Sequence, residues 1–220
     1  MGTDDIFKKR KLKKTRQERK LVLIALEDTK SSRYYFEQLI KDKGLTGQVV
    51  IADNIGTNPN KVIDALLKYE QENRDEKFEY RWIVIDKDDY SKNEINGAIQ
   101  RAKNLGICVA ISNEAYELWL LLHFQRVTRY LSRVELKREL NNIFKKRFNI
   151  DYEKSNKDIY AFIIGMQLDA INNAKSLINH HIKNDEVIDP FNQNPITTIF
   201  ELVECLNKIY ENKECNCFPS

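Results

Sequence analysis

The 220-residue chain is 42% hydrophobic and 31% charged, with a formal net charge of +3. That balance excludes a disordered polyelectrolyte, and the longest strongly apolar run, Leu118 to Phe124, falls far short of the ~20 residues a helix needs to cross a bilayer. The charge is uneven: residues 1–20 hold nine basic against three acidic side chains, a net +6, which leaves −3 on the other 200.

The leader opens Met1-Gly2-Thr3-Asp4-Asp5 with no apolar signal core, and Ile6 stands where myristoylation calls for Ser or Thr. The expected location is therefore the cytoplasm. The basic leader suits phosphate neutralisation on a nucleic acid, or a solvated arm without structure. Leu21 to Leu26 is a continuous apolar run, as in a strand buried on both faces. Ser31 or Ser32 is the expected cap of a helix whose apolar face is Tyr35, Phe36, Leu39 and Ile40. Gln48 to Ala52 reads as a second strand. Asn58-Pro59 then combines a cap with proline at the first helical position. Arg81 to Ile85 is a third strand, Asn93 opens a helix that Gly106 ends, and Ile107 to Ile111 is a fourth strand. Strands alternating with amphipathic helices predict βαβ units and a mostly parallel sheet.

After that the pattern becomes helical. Glu114 to Phe124 reads as an apolar helix, Ser132-Arg133-Val134-Glu135 as a capping box, and Pro195 as the start of a further helix. Apolar spacing through Ile171, Ala174, Leu177 and Ile182, and through Ile199, Leu202, Val203 and Leu206, adds two more helices. The expected organisation is a leader (1–19), an α/β core of about four strands flanked by helices (20–125) and an α-helical C-terminal extension packed on it (126–220). Cys108, Cys205, Cys215 and Cys217 form no disulfide framework in their spacing and no plausible zinc set, so buried or idle thiols are expected.

Ligands of parallel sheets bind beyond the carboxyl ends of the strands. Three of the four expected ends carry polar clusters: Glu27-Asp28, then Asp86-Lys87-Asp88-Asp89, then Ser112-Asn113 with Glu114 and Glu117 close behind. Carboxylates converging there repel one another unless a cation joins them, and an all-oxygen set suits Mg²⁺ or Mn²⁺. Such ions support phosphodiester cleavage. Glu27 is the candidate general base, general acid or ligand, beside Asp86 and Asp88 as ligands. Both aspartates can reach one ion only if the chain turns just after Asp86. Asp89 and Glu114 read better as solvated loop residues or helix caps, and Glu117 suits a helix's first turn on dipole grounds alone.

The order of these pieces resembles the RloB-like family of phage-resistance proteins, whose core is similar to a Toprim domain. The likeness rests on Leu26-Glu27 through Tyr35-Phe36-Glu37, on Ile85-Asp86-Lys87-Asp88, on Ser112-Asn113 with Glu117-Leu118-Trp119-Leu120-Leu121-Leu122-His123-Phe124, and on Asn194-Pro195-Ile196-Thr197-Thr198. It implies a Mg²⁺-dependent nuclease paired with an ATPase, with Glu27, Asp86 and Asp88 as the Toprim acids and Ser112, Asn113 and Glu117 as the family's own signature. Catalysis is then expected from Glu27, Asp86, Asp88 and Glu117, and nucleic-acid contact from Lys13, Lys14, Arg16, Ser112 and Asn113. A symmetric homodimer would suit cutting of two strands. The chain departs from the family pattern where Asp28 replaces a glycine, Ser32 an acid and Glu114 a proline. Two rival readings remain: a receiver-like signalling module phosphorylated at Asp86, and a non-catalytic subunit that keeps the fold. The first needs a fifth strand ending in lysine.

The leader generates a test of its own. Deleting residues 1–19 is expected to weaken nucleic-acid binding and flatten its salt dependence. An unchanged slope in a salt titration would leave the leader without a role in binding.

Overall fold

The computed structural model describes residues 20–184 and 187–215. A five-stranded sheet runs in the order β2-β1-β3-β4-β5, built from β1 (Leu21–Leu26), β2 (Val49–Ile51), β3 (Phe78–Asp86), β4 (Cys108–Asn113) and β5 (Ile196–Thr197). The first four pair in parallel and β5 lies antiparallel on β4. Because successive strand residues face opposite ways, Val22, Ile24 and Leu26 enter one apolar cluster, and Leu23 and Ala25 the other. The same alternation sends Trp82 and Val84 one way and Ile83 and Ile85 the other.

One sheet face is covered by α2 (Pro59–Glu72) and α3 (Lys92–Asn104). The other meets α1 (Ser31–Asp42), α4 (Glu117–Leu122), α5 (Arg133–Phe148), α6 (Ile159–Ile163), α7 (Gln167–Asn184) and α8 (Ile199–Tyr210). This second cluster runs without a break from Val22 of β1 to Leu177 of α7 and Leu206 of α8. No helix among the described residues is long and apolar enough to cross a membrane.

Several helix ends follow from their local chemistry. The Asn58 side chain accepts the Lys61 amide ahead of Pro59, as expected, and Ser132 and Glu135 form the predicted capping box. Elsewhere the expectation shifts. Ser91 and Glu94 make a second capping box, so α3 starts at Lys92 rather than Asn93. The amides of Lys30, just before α1, and of Ser32 within it donate to the Asp28 carboxylate (3.1 and 2.9 Å), which takes the part expected of a serine hydroxyl. The apolar helix after β4 begins at Glu117 rather than at Glu114, and the Asn113–Glu114 peptide is cis.

The largest departure is at Pro195. It opens no helix: a cis Asn194–Pro195 peptide leads into β5, and α8 starts only at Ile199. The strand is fastened by side chains as much as by its two residues. Ser112 Oγ and Thr197 Oγ1 lie 2.8 Å apart, and the Ile111 amide donates to Thr198 Oγ1 (3.0 Å). Being antiparallel and followed by threonine, β5 is not the lysine-ended strand a receiver-like module requires. The cysteine expectation is also corrected. After α8 the chain returns to β3, where the Cys215 amide donates to Tyr80 Oη (3.2 Å), and Cys205 and Cys215 are joined as a disulfide. No cysteine among the described residues is free.

His123 closes α4 in the middle of the aromatic cluster, with ring centroids 4.9 Å from Trp119 and 6.0 Å from Tyr35. Its Nδ1 donates to the Trp119 carbonyl (2.9 Å), and its buried Nε2 has no partner. Burial lowers its pKa from 6.5 to about 4. The unfolded chain therefore takes the proton first, so the stability tied to neutral His123 is full above about 6.5 and declines as pH falls towards 4. In urea unfolding, the stability of wild type relative to His123→Phe is expected to fall by about 3 kcal/mol at most between pH 7 and pH 4. A constant difference would refute the buried neutral imidazole.

Candidate active site

The site begins with the sheet register. The Glu27 amide donates to the Val84 carbonyl (3.0 Å), carrying the β1–β3 ladder one residue past the end of β1. That sets Glu27 beside Asp86, the last residue of β3, and the Glu27 Oε2 accepts the Asp86 amide (2.9 Å). Both carboxyls are buried. Burial is the main reason the Glu27 pKa rises to about 7; the Asp86 amide and the neighbouring Tyr90 hydroxyl counter it, and the charge of Asp88 adds to it. Asp86 is pushed well above the usual carboxylate range, first by burial and then by the charges of Glu27 and Glu117. The pair thus holds protons at a pH where exposed acids have lost them.

Beyond Asp86 the chain does turn. Lys87 donates its amide to the Ser112 carbonyl (2.8 Å), and Asp88, at φ +42°, donates its own to the Glu114 carbonyl (3.0 Å). Aspartate is among the residues that enter the left-handed region most readily. The Asp88 carboxylate forms an ion pair with the Arg133 guanidinium, from the first residue of α5. Glu117 opens α4 and is 1% exposed. Its Oε1 accepts from Lys154 Nζ (2.8 Å) and from the Tyr152 hydroxyl (3.4 Å), while its Oε2 has no partner. Burial works against the Lys154 ammonium, but the charge and hydrogen bond of Glu117 outweigh it and keep the pKa above its ordinary value.

Asp86 therefore feels the charges of both Glu27 and Glu117, and Glu27 that of Asp88 at the rim. Among the described residues no three His, Cys, Asp or Glu side chains are grouped so as to hold an ion. The donor chemistry of Glu27, Asp86 and the unpartnered Glu117 oxygen suits a hard divalent cation. Asp88 and Glu117 are each tied to a protein cation, with which such an ion must compete.

Ser112 and Asn113 are buried and engaged within the protein. The Ser112 hydroxyl meets Thr197, and Asn113 Nδ2 donates to the Pro190 and Phe191 carbonyls (both 2.9 Å). The Asn113 Oδ1 accepts from Asn194 Nδ2 (3.2 Å), so neither side chain presents a spare polar atom to a ligand. Lys13, Lys14 and Arg16 lie outside the described residues. The sequence reading missed Arg133, Tyr152 and Lys154. Arg133 did leave a trace: a cation at a helix's first position opposes the dipole and calls for an acid nearby. For Tyr152 and Lys154 no local signal exists.

An α/β protein with interacting acids at the carboxyl edge of its parallel strands is thereby defined. A family model described as RloB-like protein matches residues 22–206, and the chain belongs to the RloB-like family. Neither a curated protein nor a solved structure matches the chain.

The Glu117–Lys154 pair yields a stability test. Lys154→Met leaves a buried carboxylate without its cation, at an expected cost of about 2 kcal/mol once the 37% exposure of the lysine side chain is allowed for. Adding Glu117→Gln should recover most of it. Additive losses in a urea-denaturation double-mutant cycle would show that the two side chains do not depend on each other.

Proposed function

We propose that this chain is a divalent-metal-dependent enzyme that cleaves phosphodiester bonds in a nucleic acid. The observation that carries the reading is the buried Glu27–Asp86 pair at the strand ends, with the Glu27 carboxyl held near pH 7. A carboxyl poised there can both accept and return a proton at physiological pH, as general base and general acid chemistry require.

Asp86 and the unpartnered Glu117 oxygen are the groups that would hold Mg²⁺ or Mn²⁺, with Asp88 at the edge of the set. When bound, such an ion polarises a phosphoryl oxygen and lowers the pKa of water. The chain's own groups have distinct tasks. The Asp86 amide fixes one oxygen of Glu27, leaving the other to exchange a proton with the attacking water. Arg133 and Lys154 bring positive charge to the acids, and the same charges can receive an anionic phosphate. A role in anti-phage defence and a partner ATPase rest on the family likeness.

One observation favours a second reading, a non-catalytic subunit of a defence complex: Asp88 and Glu117 are each satisfied by a protein cation. Calorimetry and cleavage assays separate the two. Wild type is expected to bind Mg²⁺ or Mn²⁺ and Asp86→Asn to lose that binding. Glu27→Gln should cut nucleic-acid cleavage at least ~100-fold with the fold retained. Full cleavage by Glu27→Gln would remove Glu27 from the chemistry, and no metal uptake by wild type, alone or with a phosphodiester present, would favour the non-catalytic subunit.

A further inference from the structure

The acid cluster is bordered by exposed apolar surface that packing does not explain. Tyr130 is 60% exposed, and its hydroxyl donates to Glu114 Oε1 (3.3 Å), which tethers the ring. Glu114 in turn accepts the Asp88 amide through its carbonyl, so the ring stands on the Asp88 side of the acids. Val134 is 76% exposed. Between these two in sequence lies Arg133, whose guanidinium is bonded to Asp88.

On α5, Val134, Lys137, Arg138 and Asn141 share one side at spacings of three and four residues, with Arg133 at its border. Lys137 makes no ion pair among the described residues, and Arg138 reaches only Glu135, at 3.8 Å. An open hollow of about 470 Å³ is lined by Val134, Lys137, Arg138 and Asn141 on α5, and by Asp151, Tyr152 and Glu153 opposite. Asp151 is neutralised by Lys145 (2.9 Å). The Tyr152 hydroxyl points from this wall to Glu117, which joins the hollow to the acids.

An aromatic face, an aliphatic neighbour and a row of cations leading to a carboxylate cluster match the alternation of base and phosphate along a nucleic-acid strand. A duplex hides its base faces within the stack, whereas a single strand offers them. Resting on the phosphodiesterase reading, we propose that Tyr130 and the first half of α5 form the track for a single-stranded nucleic acid. Tyr130 stacks on a base beside the scissile phosphate, Arg133 receives that phosphate, and Lys137 and Arg138 hold the next ones.

The test is fluorescence anisotropy on the full chain without divalent metal, so that affinity is read without cleavage. The probes are labelled single strands of about 12 nucleotides, one DNA and one RNA, and a duplex of the same length. Wild type should bind a single strand more tightly than the duplex, and the tighter of the two single-strand arms identifies the sugar. Tyr130→Ala should weaken single-strand binding about tenfold, while Tyr130→Phe keeps the ring and the affinity. Lys137→Glu with Arg138→Glu should weaken binding and flatten its salt dependence. These side chains are exposed, so the variants should melt as wild type does. Unchanged affinity in Tyr130→Ala, or a preference for duplex, would overturn the track. If wild type takes up Mg²⁺ through Asp86 but binds no strand, the track fails alone. If it takes up neither, the track and the phosphodiesterase reading fall together.

Discussion

The geometry of the site depends on one pair of side-chain amides, Asn113 at the end of β4 and Asn194 just before β5. Asn113 holds the Pro190 and Phe191 carbonyls with its amide nitrogen and accepts Asn194 with its oxygen. Asn194 in turn accepts the Leu131 amide (3.0 Å) and donates to the Leu131 carbonyl (3.1 Å). Leu131 leads directly into the Ser132 cap of α5, and the next residue is Arg133. The exchange thus ties the end of the parallel sheet, the antiparallel edge strand and the start of the cation-bearing helix to one point. An asparagine supplies both donors and an acceptor, which no other small side chain but glutamine can do. Asn113 is buried and Asn194 half-buried, which makes these bonds costly to lose.

Around that point the electrostatics are a balance of opposites from the two halves of the chain. Glu27, Asp86, Asp88 and Glu117 come from the strand ends and α4, and Arg133 and Lys154 from α5 and the loop that follows it. Without those cations, buried carboxylates at such spacing would be driven to protonate. With them, Asp88 and Glu117 are matched, and the unmatched part of the cluster is confined to Glu27 and Asp86. Burial raises the pKa of both first, and neighbouring carboxylate charge adds to it.

What the sequence reveals and what it hides follow the range of the interactions. Strands β1 to β4 were legible because burial on both faces demands unbroken apolar runs, and α2 and α5 because Asn58-Pro59 and Ser132 with Glu135 act within one turn. Glu27 and Asp86 were legible as acids at the ends of such runs. The two-residue β5 was not, since its register comes from Ser112, Ile111 and Asn113 rather than from its own pattern, and Pro195 imitates a helix start. Lys154 was hidden for a related reason: its meaning lies in Glu117, far back in the chain. The Cys205–Cys215 bond joins α8 to a tail that also meets Tyr80, a long-range return that spacing alone does not disclose.

The late position of Asn194 also sets an order of events during synthesis. Strands β1 to β4 can pair as soon as they emerge, but the amide that fixes Leu131, and through it the approach of α5, follows about 80 residues after β4. Contacts so far apart in sequence are the slow ones to close. A ribosome-bound fragment that stops short of Asn194 holds the acids but lacks the amide that seats Arg133. Emergence of Asn194, rather than folding of the strands before it, is the step that assembles the site.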